Sequence, residues 1–302
     1  MAASLIARQL TVVRGPLVVL DRVDLVLAPG HRVGLVGPNG VGKSTLLAAL
    51  AGRVGLEAGS VEAAPRTANV GLLPQEPERS ASETVQDFLA RRSGVAGAHI
   101  DLDAATQALA DGLPGADDQY ADALERWLAL GAADFDARVG ETWSELGLDP
   151  ALLTQTTATL SGGQAARCSL ASLLLSRYDV FLLDEPTNDL DLDGLDRLER
   201  WVRNLDAPVL LVSHDRTFLE RVITDVVEID HHSHRAEWYA GGWSAFLAER
   251  ELARLHAQQR FEEYDTKKSA LQQRAQALEQ PLWVVGETFA VPGTGPYLEV
   301  LP

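Results

Sequence analysis

Gly37-Pro38-Asn39-Gly40-Val41-Gly42-Lys43-Ser44-Thr45 decides how this chain is read. A glycine, four free positions and then Gly-Lys-Ser is the spacing of a phosphate-binding loop. Before it, Val33-Gly34-Leu35-Val36 is continuously apolar and reads as a buried strand. After it, Leu46, Leu47 and Leu50 read as an apolar helix. Glycines let backbone N–H groups turn inward around phosphate oxygens, and the helix N-terminus adds a favourable dipole. Lys43 is expected to reach the β- and γ-phosphates and Ser44 to hold Mg²⁺. The competing reading is a plain glycine turn between a strand and a helix, and the flanks count against it.

Outward from the loop, short runs of Val, Ile and Leu recur. Leu17–Leu20 and Val23–Leu27 precede it, and Val23-Asp24-Leu25 alternates like a half-exposed strand. Val180–Leu183 and Val209–Val212 look buried on both faces. Leu195, Leu198, Val202 and Leu205 repeat at helical spacing between them. Strands alternating with helices predict an α/β domain with a largely parallel sheet. Residues 76–159 differ: they are rich in Ala, Asp and Glu and read as helical, with 5 Arg against 16 acidic residues. Ser80 and Glu83 fit a capping box for a helix through Phe88. Residues 250–280 carry 6 basic and 5 acidic residues without Pro or Gly, and read as a long polar helix. Pro281–Pro302 holds four Pro and three Gly and has no clear period, so it is expected to be an atypical, disordered tail.

Composition narrows the functional classes. The 302 residues hold 26 Lys and Arg against 43 Asp and Glu, for a net charge of −17. That balance disfavours a broad nucleic-acid-coating surface, so any RNA contact is expected to be local. Because the acidity is concentrated in 76–159, it says little about the near-neutral 250–280 stretch. The hydrophobic share of 46% is enough for a packed core. A single cysteine, Cys168, rules out an internal disulfide framework and a multi-Cys zinc site. The first residues lack the apolar core of a signal peptide, and no apolar run is long enough to span a membrane. The expectation is a soluble, cytoplasmic protein without direct membrane insertion. Only three Lys occur, at 43, 267 and 268.

Four further stretches carry chemistry. Val180-Phe181-Leu182-Leu183-Asp184-Glu185 is an apolar strand ending in two acids, placed where carboxylates face the ligand crevice of a parallel sheet. Asp184 suits a Mg²⁺ shell and Glu185 suits a base for an attacking water. An exposed acidic turn before Pro186 is the alternative. Leu160-Ser161-Gly162-Gly163-Gln164 opens a helix that Ser161 can cap, with glycines that leave its N-terminus open to an anion. Alone it would be an ordinary capped start. His214, in Ser213-His214-Asp215, follows a buried strand, and Gln75 follows the short strand Val70–Leu73. Each is unremarkable by itself.

Taken in order, the phosphate loop, Gln75, LSGGQ, the acidic strand and the post-strand histidine resemble the series of an ATP-binding cassette ATPase, over residues 5–248. The resemblance implies a P-loop NTPase cassette. Such a cassette has an N-terminal antiparallel β subdomain, a central mostly parallel sheet and a helical subdomain. The core would be 1–75 and 160–248, and 76–159 the helical subdomain with a short arm within Gly94–Tyr120. It implies ATP and Mg²⁺ as cofactors. It casts Glu185, His214, Lys43 and Gln75 as catalytic, and Ser44, Gln75 and Asp184 as Mg²⁺-linked. The nucleotide set is Gly37 through Thr45, with Arg14 at the adenine position and Ser161, Gly163 and Asp191. Ser161 and Gly163 would touch the γ-phosphate of a nucleotide held by another cassette, because such ATPases close head to tail around two ATP molecules.

Within the family, Asp184-Glu185-Pro186-Thr187-Asn188-Asp189-Leu190-Asp191 and Tyr239-Ala240-Gly241-Gly242-Trp243-Ser244-Ala245-Phe246 resemble the ABC-F branch. That branch implies a tandem-cassette protein acting on the ribosome in translation or in antibiotic resistance. Residues 249–280 would start the inter-cassette linker reaching toward the P-site tRNA. The partner is then a second cassette, either a missing tandem half or a second copy, and the chain is expected to stop before its second cassette. Two rivals stand beside this reading: the ATPase subunit of a membrane transporter, and a non-hydrolysing ATP-binding remnant. Minor features read as structural. His231-His232-Ser233-His234 is a solvated hairpin tip rather than a metal cluster, Cys168 is a small core residue, and Tyr120, Leu124, Trp127 and Leu128 share a packing face.

Overall fold

The computed structural model describes residues 3–75 and 79–279; Glu76–Glu78 and the tail Pro281–Pro302 lie outside them. The chain divides into two units, 1–248 and 249–302.

In the first unit, strands β1 (Ser4–Arg14), β2 (Leu17–Leu27) and β4 (Ala58–Ala64) form an antiparallel sheet in the order β2-β1-β4. The two runs separated in the sequence, Leu17–Leu20 and Val23–Leu27, are one strand. It continues through Arg22, whose φ of 48° marks an irregularity in the pairing with β1. The alternation of β2 holds: Val23, Leu25 and Leu27 are buried while Asp24 and Val26 are exposed.

The central sheet has the order β5-β6-β7-β3-β8-β9, formed by β3 (Arg32–Val36), β5 (Val70–Leu73), β6 (Val180–Asp184), β7 (Val209–Val212), β8 (Asp225–Ile229) and β9 (Ala236–Ala240). The first five in that order run parallel, and β9 pairs antiparallel with β8. Continuous apolar runs mean burial on both faces, and the period of two divides them between two cores. Val180 and Leu182 join the cluster under the antiparallel sheet and helix α1 (Lys43–Leu50). Phe181 and Leu183 face the cluster built with the helices.

Those helices are α2 (Val85–Arg92), α3 (Val95–Ala110), α4 (Ala116–Ala129), α5 (Phe135–Glu145), α6 (Gly162–Leu175), α7 (Leu192–Asn204) and α8 (Arg216–Val222). Residues 79–159 are therefore largely helical, as their composition predicts. The start of α2 differs from expectation. Its cap is Thr84, whose hydroxyl accepts from the Asp87 N–H, not a Ser80–Glu83 box. Ser80 instead pairs its hydroxyl with Ser82, and Glu83 holds Arg91 in an ion pair. Asp87 also accepts from the Thr84 hydroxyl, so the Thr-x-x-Asp pair wins the first turn. In α4, Trp127 packs inward and donates to His99, but Leu128 is 55% exposed and leaves the expected packing face. Helix α9 spans Trp243–Glu279 and begins in the first unit, where Phe246 is buried. The described part of the second unit, residues 249–279, is the rest of α9. Among the described residues no helix is long and apolar enough to cross a membrane.

Candidate nucleotide site

Strand β3 delivers the glycine loop to the C-terminal edge of the central sheet, where parallel α/β folds place ligands. Two glycines there cannot be replaced without movement. At Gly37, φ is 146° and a Cβ would lie 2.9 Å from the Ile229 carbonyl oxygen. At Gly42, φ is 115° and a Cβ would meet Val19 Cγ1 at 2.9 Å. The loop thus turns its backbone inward against β2 and β8, and α1 starts at Lys43. The Lys43 ammonium donates to the carbonyls of Gly37 at 2.8 Å and Pro38 at 3.1 Å.

Both acids come from the end of β6, which lies beyond β7 from β3 in the sheet. Asp184 ends β6 and is buried. Burial pushes its carboxyl above the usual range, opposed by a hydrogen bond from Ser44 and by the Lys43 charge. Burial likewise lowers Lys43, opposed by the charges of Glu185 and Asp184. Glu185, only 5% exposed, adopts a left-handed φ of 51°. Such backbone costs about 1–3 kcal/mol and persists where surroundings enforce it. Here the Glu185 N–H donates to Val212 at 2.9 Å, and the Glu185 carbonyl accepts from the Asn188 N–H at 3.2 Å. The turn aims the carboxylate at His214. Oε2 accepts from the His214 backbone N–H at 3.1 Å, and Oε1 lies 3.3 Å from His214 Nε2. Thr187 and Ser213 hydroxyls, 2.9 Å apart, join the two post-strand loops.

Gly42, Lys43, Ser44, Asp184, Glu185 and His214 line one cavity of about 450 Å³, together with Arg14, Val19, Asn39, Gly40, Thr45, Gln75 and Val212. That lies within the roughly 300–1,000 Å³ of ordinary ligand sites. Ser44 and Asp184 present oxygen donors in contact with each other, the donor set a hard Mg²⁺ prefers. The backbone cradle, which a Cβ would fill, suits a polyphosphate. The residues present fit both groups.

Ser161, Gly163 and Asp191 do not line this cavity. Ser161 caps α6 in a full capping box with Gln164, and Ser161, Gly162 and Gly163 are exposed. Asp191 caps α7 through the Gly194 N–H at 3.1 Å and pairs with Arg167; both hold its carboxyl below the usual range. Sequence reasoning missed Val19 and Val212 as cavity walls. Both are aliphatic residues inside strands, and nothing in their local pattern distinguishes them from core.

The ABC transporter family model matches residues 20–188, which include the loop, Gln75, LSGGQ and both acids. The chain belongs to the ABC transporter family. The cassette is 36% identical to the tylosin resistance ATP-binding protein TlrC of Streptomyces fradiae over 261 residues, covering 82% of this chain and 46% of that protein. It is 35% identical to the energy-dependent translational throttle protein EttA of Mycobacterium tuberculosis over 250 residues, covering 82% and 43%. ABC transporter F family member 5 of Arabidopsis thaliana is 34% identical over 227 residues, covering 70% and 32%. The chain thus spans less than half the length of these relatives, and the resemblance to the F branch holds. A solved ATP-binding subunit of an ABC transporter shares the fold, with a TM-score of 0.61 and 20% identity over 84% of this chain and 98% of that one.

His231, His232 and Ser233 are exposed in the β8–β9 turn, and no metal-binding group of three acids, His or Cys occurs among the described residues. Cys168 is buried in α6, and burial pushes its thiol up to about 12. It is a core residue, as expected.

Proposed function

We propose that this cassette hydrolyses ATP as part of an ABC-F-type protein that acts on the ribosome in the cytoplasm, in translation or in antibiotic resistance. The observation that carries the ATPase reading is Glu185, buried and held between the His214 backbone and imidazole at the mouth of a polyphosphate cradle. A carboxylate fixed there accepts a proton from water as the water oxygen attacks the γ-phosphorus and the bond to the ADP oxygen breaks. His214 keeps Glu185 oriented and Gln75 lines the same cavity, placed to respond to the γ-phosphate. Lys43 and the loop N–H groups hold charge that builds on the phosphate oxygens. Ser44 and Asp184, with Gln75, would hold Mg²⁺, which would supply further neutralisation of that charge.

Ser161, Gly163 and Asp191 lie outside the cavity, and their place in the proposal is on a second cassette's nucleotide, supplied by a tandem half or a second copy. The ribosomal part rests on the likeness to TlrC, named for tylosin resistance, and EttA, named for translational throttling. In this reading residues 1–248 are the cassette and 249–280 begin a linker whose Lys267 and Lys268 face the P-site tRNA. The test is sedimentation of Glu185→Gln with ribosomes, with and without ATP. ATP-dependent co-sedimentation is expected. Equal sedimentation in both conditions removes the ribosomal claim. Recovery with a membrane protein instead points to the transporter-subunit rival, and ATP binding without turnover by wild type to the non-hydrolysing one.

A further inference from the structure

Gln75 stands at the cavity two residues beyond the end of β5, and a helix reaches the outer edge of that strand. β5 is the outermost strand on one side of the central sheet, with β6 as its neighbour. The Asn69 carbonyl, just before β5, accepts from the Val180 N–H at 3.2 Å and so faces β6. Backbone groups alternate in direction along a strand, so the Leu72 carbonyl, three residues on, faces the open edge. There it accepts from the Arg92 guanidinium at 2.7 Å. Arg92 is the last residue of α2 and is only 6% exposed. Arginine is seldom buried so far, and a Leu or Met would fill the same space without the cost of desolvating a charge. Its backbone is held as well: the Tyr178 hydroxyl donates to the Arg92 carbonyl, and the Tyr178 ring lies against Gly71, where a Cβ would overlap it.

We infer that Arg92 is a positioning residue for Gln75: by donating to the outer edge of β5, it sets where Gln75 stands relative to the γ-phosphate. The inference rests on the nucleotide reading above and adds a residue to it. Leu73 and Pro74 alone separate Leu72 from Gln75. Leu73 is fixed in the core cluster that holds Phe88 and Leu89 of α2. Pro74 has a ring-locked φ. The connection is therefore stiff, and a shift at Leu72 carries to Gln75 with little slack. Arg92 is not among the residues lining the cavity, so its effect reaches nucleotide through Gln75. ADP has no γ-phosphate for Gln75 to meet, so Arg92 bears on ATP and not on ADP.

The test is equilibrium binding of ATP and ADP, each with Mg²⁺, to the Glu185→Gln chain and to variants made in it. Arg92→Met keeps an unbranched apolar stem and removes the donors. It is expected to weaken ATP by about tenfold and leave ADP within about twofold. Arg92→Lys can still donate to the Leu72 carbonyl and is expected to keep ATP within about threefold of the parent. Gln75→Ala is expected to weaken ATP selectively too, and adding Arg92→Met to it to cost nothing further, because the two act as one unit. Equal weakening of ATP and ADP by Arg92→Met overturns the inference, since a residue that only holds the fold affects both. An unchanged ATP affinity overturns it as well, as does a full extra loss on top of Gln75→Ala. Should Arg92→Met not fold, Tyr178→Phe removes only the hydroxyl that holds the Arg92 carbonyl. It is expected to weaken ATP by about threefold and spare ADP, and an equal effect on both, or none, overturns the inference. A Gln75→Ala variant that binds ATP like its parent removes the role of Gln75, and this inference with it, while the phosphate cradle stands. Failure of the parent to bind either nucleotide overturns the nucleotide reading itself.

Discussion

Asp184 shows how the site trades stability for chemistry. Its carboxylate is buried, which raises its pKa, and the Ser44 and Lys43 contacts only oppose that push. A carboxyl whose folded pKa is raised costs stability when ionised. That cost grows as pH rises through the raised folded value and disappears as pH falls below the ordinary value of 3.8. Asp184→Asn is therefore expected to melt at a higher temperature than wild type at pH 7 without nucleotide. The gain should shrink toward zero as melting is repeated down to pH 3.8 and below. The same variant is expected to lose Mg²⁺-dependent nucleotide binding. An unchanged or lower melting temperature at neutral pH contradicts the burial argument. Glu185 tells the same story through its backbone: a strained left-handed residue is tolerated where it fixes the carboxylate against His214.

At the scale of elements, most of the core was legible because parallel strands are buried on both faces and announce themselves as unbroken apolar runs. Val33–Val36, Val180–Leu183 and Val209–Val212 all became central strands within a residue. The site elements were legible because the glycine loop, LSGGQ and the acidic pair have fixed spacings. What stayed hidden was decided between segments. Arg22 carries β2 through a bulge that splits its alternation in two, and Val19 became a cavity wall only because Gly42 approaches it. The α2 cap was misplaced because two overlapping polar patterns compete in Ser80–Asp87 and local spacing cannot rank them. The strand-like bridge between Thr84 and Thr156 fixes the backbone at Thr84 and settles the choice. Thr84→Ala is accordingly expected to cost about 1 kcal/mol by chemical denaturation, and Ser80→Ala clearly less. Equal costs, or a larger one at Ser80, would reverse the assignment of the cap.

At the scale of the molecule, the charge of −17 is unevenly spent. The helices between Gln75 and LSGGQ hold much of it, while the described part of α9 beyond residue 248 carries Lys267 and Lys268 among mixed charges. Lys43, Ser44, Asp184, Glu185 and His214 line the nucleotide cavity, whereas Ser161 and Gly163 stand outside it. In the proposed reading the first five bind nucleotide and activate water, and Ser161 and Gly163 act on the nucleotide of a neighbouring cassette. The most direct test of the ATPase claim is the identity of nucleotide retained after incubation with ATP and Mg²⁺, read by chromatography of the denatured complex. Wild type is expected to release phosphate and hold ADP. Glu185→Gln is expected to hold ATP, with turnover down by about 10²–10⁴-fold. Glu185→Gln protein that yields ADP as fast as wild type would contradict the role given to Glu185 and, with it, the mechanism built on this site.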